Sequence, residues 1–111
     1  MSEIERGGVP PITPGEQKMY EQEYRDGAQL FQKALDQYRI SDSIFQKHEF
    51  QEVMEKAMTI LNQTARQLKQ ESLTDQNSKI ATDYQTFIQD PSSALGADQL
   101  RKDLMQAQKK V

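Results

Sequence analysis

Apolar residues recur along most of this chain at the three- and four-residue spacing that places them on one face of a helix. Tyr20, Tyr24, Ala28, Phe31, Leu35 and Tyr38 make the first such stripe. Phe50, Met54, Ala57, Leu61, Ala65 and Leu68 make the second, and Val53, Met58 and Ile60 widen it. Ile80, Tyr84, Phe87 and Ile88 form a shorter third, and Ala97, Leu100, Leu104, Ala107 and Val111 a fourth. No stretch alternates with period two, so strands are not expected. The pattern predicts an all-α protein. Its centre is an antiparallel helical hairpin over about 15–40 and 43–72. One or two shorter C-terminal helices complete a small three- to four-helix bundle.

The breaks between stripes carry turn and cap chemistry. Thr13-Pro14-Gly15-Glu16 has the spacing of a capping box with proline at the first helical position. Ile40-Ser41-Asp42-Ser43 ends the first helix, and Ser43 with Gln46 repeats the box spacing. Ser72-Leu73-Thr74-Asp75 reads as the second break, with Thr74 as the next N-cap. Asp90-Pro91 ends the third stripe, since the residue before proline avoids the helical region. Asp90 is also placed to cap a new turn, and Gly96 to loosen the chain beyond it. Gly27 lies beside the first stripe, where the missing side chain suits close approach of another helix. Leu30 lies off that stripe, placed for exposure or for a further partner.

Three of the five glycines and three of the four prolines fall within the first fifteen residues. Residues 1–14 therefore read as a flexible Pro/Gly-rich tail, extended around Val9–Pro14, ahead of a single helical domain over 15–111. Pro11-Ile12-Thr13-Pro14 also matches the P-x-x-P pattern that docks on aromatic grooves.

Composition narrows the function more by exclusion than by assignment. The 111 residues contain no cysteine, which removes disulfides, thiolate metal sites and cysteine nucleophiles. Seventeen acidic residues against fourteen basic ones, and a pI of about 5.1, argue against a nucleic-acid-binding face. The one local basic excess is the last stretch, Arg101, Lys102, Lys109 and Lys110, which suits a helix C-terminus. No apolar run reaches the roughly 18–20 residues of a membrane span, and no signal-peptide core opens the chain. A cytoplasmic protein is expected, with export by a signal-less route left open.

The chemistry-bearing side chains do not assemble into a reactive motif. His48, Glu52 and Glu55 share a helix face at i, i+4 and i+7, half of what a helical di-metal site needs. No Glu-x-x-His and no second histidine accompany them, so the reading is a solvated face with His48 pairing with Glu52. No phosphate-binding glycine loop occurs, and the serines and threonines fall at caps and turns. No catalytic, cofactor or metal residues are expected.

What remains is association. The stripes are furnished with Tyr, Ala, Met and Gln, and Ile, Leu, Val and Phe together number only 22. Thin cores of this kind often gain stability from a second copy or a partner. The expected function is non-enzymatic: an adaptor or structural protein that binds a protein partner, or itself, through apolar helix faces. Val53, Met54, Met58 and Ile60, with Leu100 and Leu104, are the candidate contact residues. The junction Gln89-Asp90-Pro91-Ser92-Ser93-Ala94-Leu95-Gly96-Ala97-Asp98-Gln99-Leu100 resembles the helix–turn–helix junction of type III secretion needle subunits over about a dozen residues. It departs from them in its short last helix and the long helix pair before it. That resemblance implies an alternative, a small helical chaperone or assembling subunit of a secretion-type apparatus.

Overall fold

The computed structural model describes residues 12–111. The tail expected over 1–14 falls outside them as far as residue 11. Four helices follow: α1 (Pro14–Ile40), α2 (Ile44–Leu68), α3 (Glu71–Gln89) and α4 (Ala94–Lys109). No strand occurs among the described residues.

Short connections make successive helices antiparallel neighbours, and α1 also lies beside α4. The helices thus form a ring in the order α1, α2, α3, α4, with α1 facing α3 across one diagonal. The core fills the ring from all four stripes. Tyr24, Phe31, Leu35, Met54, Leu61, Leu73, Ile80, Phe87, Leu100 and Leu104 are fully buried. Two edge-to-face aromatic pairs cross the α1–α3 diagonal. Phe31 meets Tyr84 at 5.7 Å and Tyr38 meets Phe87 at 5.5 Å between ring centroids. The expected close approach at Gly27 is made by α2: a Cβ at Gly27 would lie 2.9 Å from Ile60 Cγ2.

The helix starts follow the cap chemistry, with departures. The Thr13–Glu16 box is closed in both directions, at 3.1 and 3.0 Å. At α2 only one arm forms. Ser43 Oγ accepts from the Gln46 N–H, while Gln46 Oε1 accepts from Ser41 Oγ at 3.0 Å. The second break lies earlier than the Ser72–Asp75 expected from sequence. Lys69 takes a left-handed conformation (φ 55°) and donates its N–H to the Ala65 and Arg66 carbonyls, closing α2. Gln70 then starts α3 without any side-chain cap, and Ser72, Thr74 and Asp75 are helical. At the third break Asp90 ends α3, and Ser93 rather than Asp90 caps α4. Gly96 lies inside the first turn of α4, with its N–H on Ser93 Oγ at 3.3 Å, so it does not loosen the chain.

Two buried polar residues on α3 tie that helix to the other three. The Asn77 amide nitrogen donates to the Leu61 carbonyl of α2 at 3.0 Å, and the Asn77 oxygen accepts from the Tyr24 hydroxyl of α1 at 2.6 Å. Gln76 donates to the Asp103 carbonyl of α4 at 2.8 Å. Each bond satisfies a group that burial would otherwise leave without water. Together they make the rotation of α3 about its axis costly to change.

Candidate interaction surface

Because the helices alternate in direction, the α1–α2 turn and the α3–α4 turn lie at the same end of the bundle. The packing of Tyr38 on Phe87 joins those two helix ends directly. Four large apolar side chains project there. Ile40, the last residue of α1, is 73% exposed; Ile44 and Phe45, the first two of α2, are 83% and 84%; Leu95, the second of α4, is 82%. They share an end face bounded by a cross-section of 23 × 21 Å. Isolated exposed apolar residues are ordinary; four at one end of the bundle make it the candidate contact surface. Beside them Lys47 sits 5.2 Å above the Tyr38 ring, its charge held by the aromatic face.

The six contact residues expected from sequence lie elsewhere. Met54, Leu100 and Leu104 are fully buried in the core, and their side chains are taken up by packing within the chain. Val53, Met58 and Ile60 are half-buried; Val53 and Met58 pack against that core, and Ile60 lies against Gly27 of α1. Periodicity identified these residues because they are apolar, but it does not say which neighbour covers a stripe. The four helices close into a ring, and the ring covers most of what the stripes offered. Ile40, Ile44, Phe45 and Leu95 were missed for the opposite reason: they sit off the stripes, at helix ends. The signal for them was present. A capping serine followed directly by two large apolar residues, Ile44 and Phe45, leaves those side chains in the first turn with no place on the buried face.

The chemistry-bearing groups are dispersed. His48 and Glu52 face each other at 3.9 Å on the exposed side of α2. Glu55, the third member of the set weighed from sequence, instead accepts from the Tyr84 hydroxyl of α3 at 3.0 Å. No group of three metal-ligating side chains converges among the described residues. An open polar furrow of about 530 Å³ lies between α3 and α4, bordered by Lys79, Asp83, Lys102 and Asp103. Burial raises the Asp83 carboxyl above its usual range, opposed by the nearby Lys79 charge. Gln99 holds the buried Asp103 carboxylate at 3.1 Å. No helix among the described residues is long and apolar enough to cross a membrane. Compared with known proteins, the chain matches no family model, no curated protein and no solved structure.

Proposed function

We propose that this chain is a non-enzymatic helical interaction protein, an adaptor that presents the α1–α2 and α3–α4 end of its bundle to an apolar concavity on a protein partner. The observation that carries the reading is the exposure of Ile40, Ile44, Phe45 and Leu95 on one face. The flat end of the bundle has a cross-section of 23 × 21 Å between backbone positions, and a partner that wraps the tip also covers its flanks, which adds contact area toward the roughly 800 Å² per partner of a stable interface. Nothing in the arrangement favours the assembling-subunit alternative over this reading.

The test is a photo-crosslinking side chain at position 45, compared in cells with one at the exposed position 52. A discrete adduct with another protein at 45 but not at 52, lost on Ile44→Asp with Leu95→Asp, supports the proposal. Equal labelling at the two positions, or an adduct only between copies of the chain, overturns it. Circular dichroism of the Ile44→Asp, Leu95→Asp protein checks that the helices persist, which is expected because both side chains are already in water.

A further inference from the structure

We infer that the outer seam between α1 and α2 is a second docking groove, and that it takes a basic amphipathic helix from a partner protein. The groove exists because Gly27 has no side chain. Ile60 of α2 leans onto the α1 backbone at that point, 2.9 Å from where a Cβ would stand, and no side chain of α1 roofs the seam. The floor is apolar, made by Gly27, Ile60 and the flank of Leu30, which is 38% exposed; it encloses about 240 Å³. Towards the start of α1 a neighbouring hollow of about 340 Å³ shares Glu23 and Ile60 with it and runs past Tyr20, with Gln63, Thr64 and Gln67 of α2 on its other side.

Charge selects the occupant. Glu23, Asp26, Gly27 and Leu30 fall at i, i+3, i+4 and i+7, so two carboxylates and the apolar floor share one face of α1. Among the described residues Asp26 accepts from the neutral Gln22 amide, and neither carboxylate has a cationic side chain of those residues within salt-bridge distance. An apolar floor with an acidic rim fits a helix with apolar residues on one face and lysine or arginine beside them. From Tyr20 to Leu30 the seam runs roughly 15 Å, about three turns of such a helix. The site lies on the flank of the bundle and is independent of the apolar tip.

The probe is a fluorescent synthetic helix of about fourteen residues, with leucines at i, i+4, i+7 and i+11 and lysines next to them. Its counterpart carries glutamate in place of lysine. Fluorescence anisotropy is expected to show binding of the lysine peptide, weakened at least about tenfold by high salt, and none of the glutamate peptide. Glu23→Lys with Asp26→Lys, both at exposed positions, is expected to reverse that preference, and Glu49→Lys with Glu52→Lys to leave it unchanged. Leu30→Asp is expected to abolish binding. Binding that ignores the Glu23 and Asp26 reversal overturns the inference. So does its loss in the Ile44→Asp, Phe45→Asp protein, which would place the peptide on the tip and leave the adaptor reading standing. Dispersal of a dimer by the same charge reversal, without peptide binding, would assign the groove to a second copy and also overturn it.

Discussion

The Tyr24 hydroxyl donates a 2.6 Å hydrogen bond to the Asn77 side-chain oxygen, linking two diagonal helices that share no loop. Both residues are buried, Tyr24 completely and Asn77 to within 4%. Asn77 passes the connection on to the Leu61 carbonyl, so one amide group holds α1, α2 and α3 in register. Tyr24→Phe leaves the Asn77 oxygen without its donor and is expected to cost about 1–3 kcal/mol. Asn77→Ala removes both ends of the link and opens a small void. Because the two residues share one bond, the double variant is expected to lose less than the two single losses combined. Urea denaturation of the four proteins checks this; strict additivity would show that the bond contributes nothing to stability.

Alkaline pH attacks the same region. Burial holds the Tyr24 phenol protonated well above its ordinary value near 10. Burial does the same for Tyr84, reinforced by its hydrogen bond to Glu55 and that carboxylate's charge. The folded-state pKa is raised, so each tyrosine's contribution is complete below pH 10 and is lost as pH rises through the folded value, because the unfolded chain ionises first. Stability is expected to fall steeply above pH 10, and less steeply in Tyr24→Phe. Absorbance at 295 nm recorded alongside circular dichroism provides the check: the Tyr24 and Tyr84 phenolates appear only together with loss of helix.

Gly27→Ala sets two effects against each other. Alanine is the better helix former by about 1 kcal/mol, but its Cβ meets Ile60, whose branch at Cβ leaves little freedom to turn aside. The expected result is a net loss of about 1–2 kcal/mol from overpacking. In an Ile60→Ala background the obstruction is gone, and Gly27→Ala is expected to become stabilising. Thermal melts of the four combinations decide between steric conflict and a simple propensity effect.

Lys69 is the one non-glycine residue with positive φ among those described. Glycine takes that left-handed conformation without the Cβ conflict, so Lys69→Gly is expected to stabilise the fold by about 0.5–1 kcal/mol. A lower denaturation midpoint would mean that the lysine side chain contributes more at the end of α2 than its backbone costs.

Lys69 also explains part of what the sequence concealed. The start of α1 was legible because Thr13, Pro14 and Glu16 each have a distinct job in one cap. The end of α2 was not, because no glycine marks it and Gln70 caps α3 without a side-chain bond. The third stripe looked short because Gln76 and Asn77, which extend it, are polar; their burial depends on acceptors and donors supplied by other helices. The hairpin pairing of α1 and α2 and the place of Gly27 followed from local spacing alone. The exposed tip did not, because Ile40, Ile44, Phe45 and Leu95 are gathered by chain direction rather than by periodicity.

The short α4 divides the bundle along its length. Sixteen residues rise roughly 24 Å and the 27 of α1 roughly 40 Å. The ion pair between Arg101 and Asp36 sets α4 against the C-terminal half of α1. The end bearing the apolar tip is therefore four helices thick, and the end where α1 begins has no α4 beside it. Amide hydrogens around Leu35, Phe87 and Leu100 are expected to exchange last, and those near the start of α1 and the end of α2 first. Local opening then begins at the end remote from the tip, so Ile44, Phe45 and Leu95 ride on the most rigid part of the molecule.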